Sequence, residues 1–296
     1  MGDGAYFAEG THVPSRLLSV VAALSATLSF VALGMGSPDA GDAAGPAPTW
    51  APAATAKIHP GVQVFTNGAQ CTANFVFTDA TNAYIGQAAH CSGTGGNTAT
   101  NGCTSGSLPV GTPVQVTGAS KPGVMVYNSW LTMQALHEAD PNTCQYNDLA
   151  LVRLDPNDVA NVNPSIPHWG GPTGINAAGT RVGDFVYSDG NSELRGGVTQ
   201  LSPKQGVSLG DAGAGWSHTV YTVTPGIPGD SGSAFLDPTG QALGILSTVA
   251  IAPLAGSNGV GDVSREVAYL HAHSSFTTVQ LVPGTVPFNS NQAPAG

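Results

Sequence analysis

The stretch YNDLALVRLD (146–155) sets a single acid, Asp148, against a run of apolar residues. A carboxylate at the head of such a run is costly to bury unless something pairs with it. Two other stretches carry groups that can pair and react. QAAHC (87–91) puts His90 directly after a strand-like run and beside a cysteine, and IPGDSGSAF (227–235) puts Ser231 in a glycine-bounded turn. A serine hydroxyl is a weak nucleophile until a neighbouring base takes its proton, and a neutral imidazole can do so. A buried carboxylate can then orient the ring and stabilise the cation that forms. Each stretch also has an ordinary explanation. A histidine is usually a surface or packing residue, and eight occur here. A serine between glycines is usually a turn, and Asp-Leu-Ala-Leu arises by chance in strands. The three together, in the order His, Asp, Ser, are harder to attribute to coincidence.

Other groupings carry less. HAH (271–273) has the spacing of a metal pair, but no third ligand accompanies it and it reads as the end of a helix. DPNDV (155–159) suggests calcium at first sight, yet Asp-Pro-Asn-Asp is ordinary turn chemistry. No C-x-x-C pair supports a zinc or redox site. The G-x-S-x-G nucleophile elbow fails at Ser233, and the order of the three residues is wrong for it. No metal and no cofactor is expected.

The elements that must position these residues are mostly strands. The chain has 296 residues, 41% of them apolar and 9% charged, enough for a full-sized core and one or two domains. Its 40 glycines and 22 prolines separate short Val/Thr/Ile/Phe-rich runs, a pattern of many strands and turns. Strand-like runs are NFVFT, AYIGQ, PVQVT and LALVRL, then RVGDFVY, HTVYTV and ALGILSTV. A Gly/Pro-rich passage (163–179) separates the two groups. No long amphipathic helical stretch occurs before DVSREVAYLHAH (262–273). Two small β-barrels, about 58–165 and 178–262, followed by a helix over 262–273 fit this pattern. A net charge of −10 argues against nucleic acid or an anionic membrane surface as partner.

Residues 17–33 are uncharged, follow Arg16 and, as a helix, fall slightly short of a ~30 Å hydrocarbon core. Small residues follow, where a peptidase can cut after Gly34 or Gly36. Residues 1–37 therefore read as a signal peptide, with a retained signal anchor as the second reading. Residues 38–57 read as an Ala/Pro-rich linker or pro-segment, 58–283 as the folded domain and 284–296 as a flexible tail. The four cysteines, Cys71, Cys91, Cys103 and Cys144, agree with export and imply disulfides, although four allow three connectivities. Cys71 and Cys91 bracket two alternating strands and can meet at the open end of a hairpin, which leaves Cys103 for Cys144.

Ala-Ala-His-Cys (88–91), Asn-Asp-Leu-Ala-Leu-Val (147–152) and Gly-Asp-Ser-Gly (229–232) together resemble the trypsin/chymotrypsin-type serine proteases, in particular the secreted bacterial kind. GILST (244–248), the C-terminal helix and the placement of Cys71 relative to Cys91 add to the likeness, which spans roughly 58–275. The resemblance implies an all-β, chymotrypsin-like fold of two six-stranded antiparallel β-barrels with a C-terminal helix and a site in the cleft between them. It implies that His90 and Asp148 come from the first barrel and Ser231 from the second, with peptide hydrolysis through an acyl-enzyme. By the same resemblance, the N–H groups of Gly229 and Ser231 form the oxyanion hole. The substrate would be a protein or peptide, and the protein a secreted monomer. Anchorage on the outer side of the membrane would follow if residues 17–33 are retained.

Several positions depart from the family pattern. Ser233 replaces its usual second glycine, and no cysteine braces the region of Ser231. Pro225 stands where trypsin has its pocket acid, which argues against cleavage after Arg or Lys. Pro225, Ser247, Thr248 and Val249 are the expected substrate-binding residues, and branched Val249 would narrow the pocket toward small or medium apolar side chains. Asp262 is expected to face solvent or a hydrogen-bond partner. Arg181 and Arg195 are both candidates to pair with Asp230. A non-catalytic domain of this kind, binding a protein or peptide in the cleft, is the alternative, although a pure binder needs none of the three reactive residues.

Overall fold

A computed structural model of the chain describes residues 48–96, 100–249 and 255–292. The apolar segment 17–33 and the expected cleavage sites lie outside the described residues. The first half forms β1 (Gln63–Thr66), β2 (Ala69–Thr72), β3 (Val76–Thr78), β4 (Ala83–Ala88), β5 (Pro113–Val116), β6 (Gly123–Asn128) and β7 (Leu149–Arg153). Two short helices, α1 (Ser129–Leu136) and α2 (Pro141–Tyr146), precede β7. The second half forms β8 (Phe185–Asp189), β9 (Pro203–Ala212), β10 (Ser217–Thr222), β11 (Ala234–Leu236), β12 (Ala242–Val249) and β13 (Asn258–Asp262). Helix α3 (Val263–His273) and β14 (Gln280–Leu281) are the last regular elements among the described residues.

The class is all-β with a C-terminal helix. Strands β8–β13 close into a six-stranded antiparallel barrel in the order β10–β13–β12–β11–β8–β9. The first half forms an eight-stranded antiparallel sheet, β14–β3–β4–β7–β6–β5–β1–β2. It exceeds the expected six because the first half supplies seven strands, β1–β7, and β14 returns from the far end of the chain to pair with β3, Gln280 opposite Thr78.

Three buried clusters explain the apolar runs. Successive strand side chains point to opposite faces, so a strand covered on both sides is apolar throughout. In β7, Ala150 and Val152 enter the core inside the first sheet with Val64, Ile85 and Met125. Leu149 and Leu151 enter a second core with Phe75, Tyr187, Ile245 and the α3 residues Val263, Val267 and Leu270. That second core is where both β units and α3 meet. A third, with Val186, Val220, Phe235, Leu246 and Val260, fills the closed barrel.

Helices α1 and α2 are too short to register as periodic patterns in the sequence. Asn128 caps α1 by accepting the N–H of Trp130 at 2.9 Å, and Asp140 caps α2 through Thr143 at 2.7 Å. The expected linker is folded over its last ten residues. Ala51 N donates to Val162 O (2.8 Å), Asn163 Nδ2 donates to Ala51 O (2.6 Å), and Trp50 packs on the first core. The expected flexible tail is docked as well. Gly171 N donates to Val286 O (2.9 Å), Asn289 N donates to Trp169 O (2.8 Å), and the Phe288 ring meets that of Tyr187 edge-on at 5.3 Å. The Ala/Pro-rich composition of the linker argues against its burial, but backbone hydrogen bonds to neighbouring loops do not depend on side-chain type.

Candidate active site

Asp148, 2% exposed, lies just before β7 and finds three donors. Its Oδ1 accepts the main-chain N–H of His90 at 2.9 Å, and its Oδ2 accepts His90 Nδ1 and Ser247 Oγ, both at 2.6 Å. Multiple charge-assisted hydrogen bonds compensate the lost hydration of a buried carboxylate. The adjoining backbone is tied too, Ala89 N donating to Asp148 O at 2.6 Å. His90 follows β4, and its side chain keeps 23% of its surface exposed, enough to meet a substrate. Burial alone would push its pKa down. The neighbouring Asp148 carboxylate more than offsets this, so the pKa lies above the ordinary histidine value. With Nδ1 committed to Asp148, Nε2 is the nitrogen left to act as base.

The Gly229–Gly232 turn lies against the same strands. Thr72 N donates to Ser231 O (2.8 Å), and Gly232 N donates to Leu246 O (2.7 Å). Gly232 has φ +86°, and a Cβ there would come within 2.6 Å of Thr72 O and 2.9 Å of Ala88 N. Only glycine lets the turn sit this close to the strand leading into His90. Gly229 has φ +94° and is equally crowded, a Cβ meeting Gln70 Oε1 at 2.2 Å. Pro228 O accepts Ser192 Oγ at 2.5 Å, so the same planar peptide turns the N–H of Gly229 the opposite way. Among the described residues neither Gly229 N nor Ser231 N donates to any protein acceptor.

Both disulfides form as expected, Cys71–Cys91 and Cys103–Cys144. The first joins β2 to the residue after His90 and closes a 20-residue separation, worth roughly 3 kcal/mol in the chain-entropy view. The Cys71 and Cys91 sulfurs lie with His90 in a cluster compact enough for a metal, but disulfide sulfur offers no thiolate. The other metal-like groupings are absorbed by structure. His271 Nε2 bonds Val279 O at 2.7 Å, His273 stacks on Tyr269, and Asp155 accepts the N–H of Asn157 at 2.9 Å.

Asp230 pairs with Arg195, at 2.5 Å from Nη2, and with Lys204, at 3.0 Å from Nζ. Arg181 is exposed and is not its partner. Lys204, fully buried on β9, went unrecognised in the sequence, where a lone lysine in a strand reads as surface. Arg195 also donates to Pro225 O at 3.1 Å, bracing the segment that leads to Ser231.

Ser247, expected in the pocket wall, turns its hydroxyl to Asp148. Asn258, which is fully buried, lies between Gly226 and Thr248. Its Oδ1 accepts Gly226 N at 2.9 Å, and its Nδ2 reaches Thr248 O at 3.3 Å. Asn258 thus bridges the segment before Ser231 and the wall strand, where Val249 remains 44% exposed. Asp262 lies away from this region. It caps α3 through Arg265 N (2.8 Å) and holds His218 Nε2 at 3.0 Å, while His218 Nδ1 meets Asp211 at 2.7 Å.

No protein-family model and no curated protein matches the chain. Among solved structures it is similar to Thermobifida fusca Protease A, at 17% identity over 77% of this chain and 99% of that one, TM-score 0.47. It is similar to Nocardiopsis protease, at 19% identity over 76% and 98% of the two chains, TM-score 0.45. A glutamic acid specific serine protease that uses a histidine triad in substrate binding matches at 21% identity over 76% and 100%, TM-score 0.47.

Proposed function

We propose that the protein is a serine endopeptidase in which Ser231 is the nucleophile, His90 the general base and Asp148 the group that orients and stabilises His90. The observation that carries this reading is the double grip of Asp148 on His90, at 2.9 Å through the main chain and 2.6 Å through Nδ1. It commits one ring nitrogen and leaves Nε2 to serve a nucleophile. Ser231 Oγ attacks the carbonyl carbon of the scissile peptide while its proton passes to His90 Nε2. The oxyanion is received by the unpartnered N–H groups of Gly229 and Ser231. Collapse expels the amine with the proton from His90, leaving an acyl ester on Ser231. Water, deprotonated by His90, attacks that ester; the acyl–oxygen bond breaks, the proton passes from His90 to Ser231 Oγ, and the acid is released.

Small or medium apolar residues are the preferred side chains before the cleaved bond. Asn258 closes the space between Gly226 and Thr248, Pro225 supplies no charge, and Val249 presents an apolar rim. The protein acts outside the cell as a monomer, a location in keeping with its two disulfides and the apolar leader. Labelling by a fluorophosphonate probe tests the reading. Wild-type protein should be modified at Ser231 and lose peptidase activity, and Ser231→Ala should take up no label. Labelling elsewhere, or none, would exclude the mechanism.

A further inference from the structure

We infer that Glu266 is a positioning residue for the proposed relay: from α3 its carboxyl accepts the main-chain N–H of Asp148 and so fixes the carboxylate that orients His90. The inference rests on the reading of Ser231, His90 and Asp148 as catalytic. Glu266 is fully buried in the first turn of α3, on the face it shares with Val263, Val267 and Leu270. An acid on that apolar face has no packing reason to be there. Its Oε1 lies 2.9 Å from Asp148 N. Room for the carboxyl comes from Gly261 on β13, where a Cβ would approach Oε1 to 2.6 Å. Asp148 is therefore held from two sides, its carboxylate by His90 and Ser247 and its backbone by Ala89 and Glu266.

This role suits a neutral carboxylic acid. Oε2 has no protein partner among the described residues, so an ionised form would leave buried charge uncompensated. Burial, with added repulsion from Asp148 and Asp262, holds the Glu266 pKa well above the usual carboxylate range despite the Asp148 N–H. The groups facing it are Asp148 with His90 beyond, Asp262 with His218 and Asp211 beyond, and the buried Tyr127 hydroxyl from β6. Arg265, its neighbour, lies over the Trp216 ring at 5.9 Å. The arrangement is undisturbed while Glu266 keeps its proton and is strained as rising pH removes it, because a second carboxylate then confronts Asp148.

Glu266→Gln retains an oxygen able to accept the Asp148 N–H and cannot ionise, whereas Glu266→Leu leaves that N–H unpaired. Kinetics on a small-residue chromogenic peptide should show kcat little changed for Gln and lowered ~10- to 100-fold for Leu, with KM unchanged in both. The fall in kcat expected of wild type as rising pH ionises Glu266 should be lost in Glu266→Gln. In a Ser231→Ala background, the low-field NMR signal of the His90 Nδ1 proton should be preserved by Gln and displaced by Leu. An alkaline limb identical in wild type and Glu266→Gln, or a Leu variant with normal kcat and an unmoved His90 signal, would overturn the inference. If Glu266→Leu does not fold, the Gln profile decides alone. Absence of probe labelling at Ser231 would instead sink the peptidase reading, while the His90 signal would still report whether Glu266 holds Asp148.

Discussion

Replacing Asp230 by asparagine probes the buried charges beneath the Gly229–Gly232 turn. The Asp230 carboxylate is fully buried, serves both Arg195 and Lys204, and accepts the N–H groups of Ser192 and Ile227 at 3.1 Å each. Asparagine keeps the shape but leaves two cations around a neutral group. Breaking one buried pair costs about 3–5 kcal/mol, and here one anion serves two cations, so we expect about 5 kcal/mol. That is a large part of the 5–15 kcal/mol typical of a domain. Arg195→Met should cost less, about 3 kcal/mol, because Lys204 stays beside Asp230. Lys204 makes the deficit depend on pH. Burial depresses its pKa, Asp230 opposes that, and losing Asp230 depresses it further. For a lysine with a depressed folded pKa, the penalty is absent above the unfolded value near 10.5 and grows as pH falls through the folded one. The Asp230→Asn deficit should therefore be largest near neutrality and shrink toward pH 10. Asp189, pushed up to about 7 by burial, ionises above that pH and adds a counter-charge near Lys204, which sharpens the trend. Urea denaturation at several pH values, followed by tryptophan fluorescence, measures it. An Asp230→Asn variant within 1 kcal/mol of wild type at pH 7, or an Arg195→Met variant that is the less stable of the two, would refute the reasoning.

Ser231→Ala and His90→Ala should each lower kcat by roughly 10⁴–10⁶, and the double variant should be little worse, because the residues act as a unit; multiplying losses in steady-state kinetics would contradict this. His90 must be neutral to act as base and its pKa is raised, so kcat/KM should climb with pH through a midpoint above the ordinary 6.5. A flat profile between pH 5 and 8 would remove His90 from that role. Asn258→Gly should open the space between Gly226 and Thr248 and raise cleavage after Phe relative to Ala by ~10-fold or more. A peptide-library profile that does not move would show that Asn258 does not bound the pocket.

What the sequence determined alone is local chemistry. Asp148 ahead of an apolar run, His90 at a strand end, and Ser231 between glycines are each short-range patterns, and the strand-like runs follow from alternation and turn residues within a few positions. Cysteine parity and one hairpin were enough to choose a disulfide pairing that the structure contains. The residues that complete the site escaped because their partners are distant. Ser247 reaches Asp148 across 99 positions and Glu266 across 118, and Asn258 meets Gly226 across 32. Such contacts depend on strand register and on how α3 packs across both β units, which no local pattern encodes. Arg181 and Arg195 are alike in composition of surroundings, and only closure of the barrel brings one of them to Asp230. Lys204 and Glu266 run against the rule that charges lie outside. They are tolerated because the tertiary structure surrounds Lys204 with Asp230 and Asp189, and gives Glu266 an N–H to accept while leaving it in surroundings where it keeps its proton.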